Sequence, residues 1–153
     1  MCNFGIGIEM NKEEAAKYFK KGAEQGHIAS TTQYANILKN GDGINENKNE
    51  AAMLYKQAAD LGDSDSMMNY ANMLKEGDGI DMNKKEAEKY YKKAKEKGNI
   101  TSMNYYAHML EEGDGIEVNI KEVIKYYKMS ADKGNLDSMW RYASILCYDD
   151  ENE

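Results

Sequence analysis

Gly-Asp-Gly-Ile occurs three times, at residues 41–44, 77–80 and 113–116, and glycine loops carrying a carboxylate are the raw material of phosphate cradles and calcium sites. The residues that follow fit neither chemistry. A phosphate cradle ends in a lysine followed by serine or threonine, and no such pair closes any of the three loops. A calcium hand needs oxygen ligands at alternate positions and a terminal glutamate, an arrangement that Asp42-Gly43-Ile44-Asn45-Glu46-Asn47 lacks. The loops therefore read as turns. His27 and His108, the two histidines of the chain, fall in different segments and predict no metal site. Covalent catalysis would need a hydroxyl or thiol beside a base. Ser30, Ser66, Ser102 and Ser138 recur as packing residues, and Cys147 has no histidine partner, so nothing marks an enzyme such as a hydrolase and no cofactor is expected.

The same loops disclose the organisation of the chain. They recur at an interval of 36 residues, with Gly5-Ile6-Gly7-Ile8 in phase one interval earlier. A second marker, Gly26, Gly62, Gly98 and Gly134, divides each unit in two. Between the markers lie segments with helical apolar spacing, no strand signal and no proline. One class, B, starts after Asn11, Asn47, Asn83 and Asn119, and Glu14, Glu50, Glu86 and Glu122 follow at capping-box spacing. In such a box the Asn side chain accepts from an early backbone N–H while the Glu reaches back to the Asn N–H. The other class, A, runs from about Ile28 to Asn40 and recurs from Ser64, Ile100 and Leu136. The expected order is B-A-B-A-B-A-B-A: eight helices in one array over residues 1–153, in phase at Gly5, Gly41, Gly77 and Gly113, with a helix over about 136–148 able to cap the end.

Columns that repeat between units mark the buried faces. In the A helices these are Tyr34, Tyr70, Tyr106 and Tyr142, then Ala35, Ala71, Ala107 and Ala143, then Leu38, Leu74, Leu110 and Leu146. In the B helices Ala15, Ala51, Ala87 and Val123 recur with the pairs Tyr18-Phe19, Leu54-Tyr55, Tyr90-Tyr91 and Tyr126-Tyr127. One hairpin cannot bury these rows alone, so neighbours must stack.

The spacing Ser66-x3-Tyr70-Ala71-x2-Leu74-x2-Gly77-x-Gly79-Ile80, continued by Ala87-x2-Tyr90-Tyr91-x2-Ala94-Lys95-x2-Gly98, resembles the Sel1-like repeat, a branch of the tetratricopeptide-type repeats. The resemblance covers nearly the whole chain and implies an all-α, right-handed α-solenoid of helical hairpins. Tyrosine and leucine have exchanged places in helix A, Ala35 and its equivalents replace a family glycine, and Lys95 replaces a second small residue. Secreted bacterial members carry paired cysteines in each repeat; their absence argues against a disulfide-stapled extracellular protein. The resemblance implies a scaffold or adaptor that binds a peptide or partner domain on a concave face lined by the A helices. A structural spacer or oligomerisation module of a larger signalling or quality-control protein is the alternative.

Positions between units must repeat, whereas positions facing a partner need not. The column Thr32, Met68, Asn104, Trp140 varies most, and on the same stripe vary Ala29, Asp65, Thr101, Asp137, then Asn36, Asn72, His108, Ser144, then Lys39, Lys75, Glu111, Cys147. The expected partner-binding residues are Thr32, Asn36, Lys39, Asp65, Met68, Asn72, Lys75, Asn104, His108, Glu111, Trp140 and Ser144. Met68 and Trp140 would anchor, and Asn36, Asn72, Asn104 and His108 would hold the backbone of an extended peptide.

A net charge of −7 and a pI near 5.0 repel phosphate backbones, so nucleic acid is not expected and a basic or amphipathic protein or peptide is. No apolar run is long enough to cross a membrane. Cys2 and Cys147 stand at opposite ends of an elongated array, too far apart to bridge, which favours a reducing cytoplasmic setting. Secretion or the ER lumen stays open if a signal preceded Met1. Met1 to Phe4 supply only the last turn of an A helix, so the chain is expected either to be a fragment of a longer array or to expose apolar surface at its first B helix and self-associate there.

Overall fold

The computed structural model describes residues 11–113 and 119–149, the last two by backbone alone. Cys2, the loop at 5–8, the third loop beyond Gly113 and the residues after 149 lie outside the described part. Eight helices follow one another with no strand among the described residues: α1 (Lys12–Glu24), α2 (Ile28–Asn40), α3 (Lys48–Asp60), α4 (Ser64–Glu76), α5 (Lys84–Glu96), α6 (Ile100–Glu112), α7 (Ile120–Asp132) and α8 (Leu136–Asp149). Odd numbers are the B helices and even numbers the A helices. Each packs chiefly against its predecessor and successor in the chain, which makes the array an α-solenoid of helical hairpins.

Short polar side chains start the helices by taking backbone donors that have no partner within the helix. Asn11, Asn47, Asn83 and Asn119 accept from the N–H groups of Glu14, Glu50, Glu86 and Glu122 at 3.0–3.3 Å. The return half of the box differs from expectation. Glu50 and Glu86 accept from the side-chain amides of Asn47 and Asn83, at 2.9 and 3.2 Å, and not from their backbone. The backbone N–H groups are already committed, donated to the carbonyls of Leu38 and Leu74 at 2.8 Å each. The start of each of these B helices is thereby stapled to the A helix before it.

The A helices α2, α4 and α6 end on Gly41, Gly77 and Gly113, each left-handed with φ between +63° and +70°. The second loop glycine has a different task. At Gly79 φ is +78°, and an added Cβ would lie 2.8 Å from the carbonyl carbon of Lys48 and 3.1 Å from the amide nitrogen of Asn49. The loop thus runs against the start of the B helix one unit earlier, where Lys48 also pairs with Asp78 at 2.8 Å. Gly98 has a similar φ of +85° with nothing within 4 Å of its would-be Cβ. Gly98→Ala should therefore cost about 1 kcal/mol for the left-handed backbone alone. Gly79→Ala should cost about 2–3 kcal/mol, because strain and overlap with backbone add. Urea unfolding of the two variants checks this; equal costs would refute the inter-unit contact.

The core follows the repeating columns. Ala35, Ala51, Ala71, Ala87 and Ala107 have no exposed surface and let helices approach closely, while Tyr55, Tyr91 and Tyr127 fill the spaces between units. Tyr70 meets Tyr90 edge-on at 4.9 Å, and Tyr106 meets Tyr126 likewise at 5.2 Å. Lys95, in a column otherwise held by alanine, lies 4.4 Å and 4.0 Å from the ring centres of Tyr106 and Tyr126 and donates to the Tyr126 hydroxyl at 2.8 Å. Two aromatic rings and a hydroxyl hold its ammonium while the stem packs, so the lysine fits.

Candidate functional site

The A helices lie side by side, joined across their variable stripe by polar contacts. Thr32 is buried between α2 and α4, its hydroxyl 2.8 Å from Ser66 Oγ and 3.1 Å from Asp63 Oδ2, so it does not line an open groove. One pair of units later in the same column, Asn104 accepts from Ser138 Oγ at 2.9 Å. The column is in part a row of partners for the serine of the next unit. Met68 breaks the row: it is half-buried against the core, and Ser102 Oγ, which it would face, is buried with no partner. Ser102→Ala should therefore be neutral or stabilise by about 1 kcal/mol, whereas Ser138→Ala should destabilise by about 1 kcal/mol. Thermal unfolding of the two variants decides, and a loss at both positions would overturn this account.

A second row is occupied from beneath. Tyr55 and Tyr91 donate their hydroxyls to the side-chain carbonyls of Asn36 and Asn72, and Tyr127 donates to Glu111 Oε2 at 2.7 Å. Burial raises the pKa of all three tyrosines, and Glu111 raises that of Tyr127 further. Asp65 accepts from the Asn99 amide at 2.9 Å, Lys75 lies 3.7 Å from Glu112, and Ser144 donates to the Trp140 carbonyl at 2.9 Å. Lys39 is half-buried on α2. Of the predicted peptide-holding residues, Asn36, Asn72 and Asn104 have their carbonyl oxygens engaged within the fold.

Between α6 and α8 the stripe opens into a cleft of about 380 Å³ lined by Asn104, Tyr105, His108, Asp137, Trp140 and Arg141. Trp140 is 67% exposed, and Tyr105 stands at the rim, stacked on buried Tyr91 at 5.7 Å. The Arg141 guanidinium lies 5.6 Å from the Trp140 ring, 3.4 Å from Glu111 Oε2 and 3.2 Å from His108 Nε2. A guanidinium only donates, so His108 receives it at Nε2, while His108 Nδ1 lies 3.1 Å from Glu112 Oε1 without making a hydrogen bond. Arg141, the one arginine in the sequence, is thus held by one carboxylate and one imidazole, and it fixes the floor beneath the indole. Sequence reasoning placed Asn104, His108 and Trp140 on this face and passed over Tyr105 and Arg141. Their column, Gln33, Asn69, Tyr105, Arg141, varies as freely as the one that was followed.

A Sel1-repeat family profile matches residues 1–27, 29–63, 64–99 and 100–135. The chain belongs to the Sel1 repeat family. Sel1-repeat proteins are generally non-catalytic scaffolds for protein–protein interaction. Among solved structures this Sel1 chain is similar to a protective antigen of uropathogenic Escherichia coli strains that displays an SLR fold. The identity is 25% and the TM-score 0.89, over 94% of this chain and 31% of that one. It is also similar to a Sel1 repeat protein from Oxalobacter formigenes, with 29% identity and a TM-score of 0.85 over 92% of this chain and 56% of that one. It therefore spans about a third and a little over half of these relatives. Helicobacter pylori cysteine rich protein B shares the fold at 18% identity and a TM-score of 0.66, over 89% of this chain and 98% of that one. No functionally curated protein matches the sequence. No helix among the described residues is long and apolar enough to cross a membrane.

Proposed function

We propose that this Sel1-repeat chain is an adaptor that seats a partner peptide or domain on its A-helix face, anchored in the cleft between α6 and α8. The observation that carries the reading is Trp140, a large aromatic 67% exposed beside a cleft whose polar groups are already oriented by one another. Interface energy concentrates in such aromatic and arginine anchors, and a preformed cleft spares the partner part of the ordering cost. Asp137 and Glu112, with the chain's net charge of −7, favour a basic or amphipathic partner.

Trp140 is the only tryptophan, so its emission reports the cleft directly. A peptide selected from a random library against the 153-residue chain should shift that emission to the blue as the indole leaves water. Trp140→Ala should weaken the selected peptide about 30-fold, roughly 2 kcal/mol, with helix content unchanged. Selected peptides that bind the alanine variant as tightly, or that leave the emission unmoved, would refute the assignment.

A further inference from the structure

Charge is divided unevenly along the array. The four B helices hold 15 of the 20 cationic residues and 10 of the 27 acidic ones, so they carry a net +5 while the rest of the sequence carries −12. The excess gathers on the outward stripes of α5 and α7. Lys85, Lys89, Lys92 and Lys93 are exposed along α5, where Glu96 is the one exposed carboxylate. Lys121, Lys125 and Lys128 are exposed in equivalent places on α7, where Asp132 is the one exposed carboxylate. Lys95 of α5 donates to the Tyr126 hydroxyl of α7 at 2.8 Å, so the two stripes lie side by side as one basic patch. Described helices stand before and after both, so the patch belongs to the outer side of the stack and not to either end of it.

Packing does not account for these lysines. In the columns of Lys85, Lys89 and Lys93, α3 carries Asn49, Met53 and Gln57, so the fold accepts neutral side chains there. Lys92 pairs with Glu88 at 2.7 Å, but Lys85, Lys89, Lys121 and Lys128 have no hydrogen bond or ion pair among the described residues. Lys85, Lys89 and Lys93 follow one another at steps of four residues, as do Lys121 and Lys125, and like charges one turn apart weaken a helix. A carboxylate bound across the patch would relieve that repulsion.

The extent of the patch selects the kind of anion. From Lys85 to Lys93 it rises about 12 Å along α5. Asp81 is exposed just before it, and Glu96 and Asp132 are exposed just beyond. A nucleic-acid duplex, with one charge every ~1.7 Å of its axis, or an anionic bilayer would overhang the patch onto the acidic remainder of the chain. A few residues of extended polypeptide, at about 3.3 Å each, stay within it. We propose that the outer face of α5 and α7 binds a short acidic segment of a partner protein, its carboxylates set among Lys85, Lys89, Lys93, Lys125 and Lys128. The site shares no residue with the cleft between α6 and α8, so either can fail without the other.

Fluorescence anisotropy of a fluorescein-labelled octaglutamate peptide, titrated with the 153-residue chain at about 50 mM sodium chloride, tests the proposal. Binding should saturate at one peptide per chain and leave the Trp140 emission unmoved. Lys89→Glu combined with Lys125→Glu should weaken the peptide at least about tenfold. Lys17→Glu combined with Lys21→Glu makes the same change of net charge at exposed sites on α1 and should weaken it less than about twofold. Lys89→Gln with Lys125→Gln removes the charges without reversing them and should give a smaller loss in the same direction. All these sites are exposed, so circular dichroism should match the parent. A short DNA duplex, and phosphatidylcholine vesicles containing about 30% phosphatidylserine, should bind more weakly than the peptide. No saturable binding of the peptide, an equal loss from the α1 pair, a shift of the Trp140 emission, or tighter binding of the duplex or the vesicles would each overturn the proposal.

Discussion

Raising the pH above about 10 is expected to unfold this protein cooperatively, at a midpoint set by the tyrosines between the repeats. Tyr55, Tyr91 and Tyr127 are essentially without exposed surface, and burial lifts the pKa of each above the ordinary tyrosine value. The unfolded chain loses these protons from about pH 10, while the folded chain keeps them to higher pH. Above that point the native state binds more protons than the unfolded state, so stability falls as pH rises; below it the contribution is fully present. Each tyrosine removes about 1.4 kcal/mol per pH unit, about 4 kcal/mol per unit for the three. Against a total of roughly 5–15 kcal/mol, the loss exhausts stability within one to a few pH units. Far-ultraviolet circular dichroism and tyrosinate absorbance should change together through the transition. Replacing all three by phenylalanine should move the midpoint upward, and a midpoint that stays put would show that other groups control it.

Nearly all of the helical order was legible in the residues, because the signals that set it are local and repeated. Four asparagines at equivalent places each cap a helix, and an error at one would have been exposed by the other three. The capping box was half misread for a tertiary reason: the N–H of Asn47 and of Asn83 is donated to an A-helix carbonyl, a partner that local spacing cannot reveal. Loop glycines were legible as turns. That Gly79 also gives way to the backbone at Lys48 depends on the rise from one unit to the next, which a single unit does not encode.

The candidate site was less legible, because variation between units has two causes that look alike in sequence. Thr32 and Asn104 differ and yet do the same work, accepting or sharing a hydrogen bond with the serine of the following unit. Trp140 differs too, but it is largely exposed, whereas Thr32 is buried and Met68 and Asn104 are half-buried. Asn36, Asn72 and Glu111 sit on the predicted stripe but answer to tyrosines beneath them. Repetition reports packing well; its absence reports recognition only where the structure shows the side chain unclaimed.

The same truncation at equivalent places should separate packing between units from packing within one. Tyr91→Ala removes a ring with no exposed surface, stacked on Tyr105 and bonded to Asn72, and should cost about 4 kcal/mol. Phe19→Ala, in the same column on α1, removes a half-buried ring with no described helix packed before it and should cost about 1–2 kcal/mol. The difference is the coupling between neighbouring units, the quantity that makes a short array cooperate. Tyr91 lies in the middle of the array, so losing it should also let the two sides unfold apart, broadening the urea transition and lowering its slope. Phe19→Ala should shift the midpoint and leave the slope unchanged. Equal costs at the two sites would mean that stability resides within each hairpin, and the stacking of units would lose its place as the source of cooperativity.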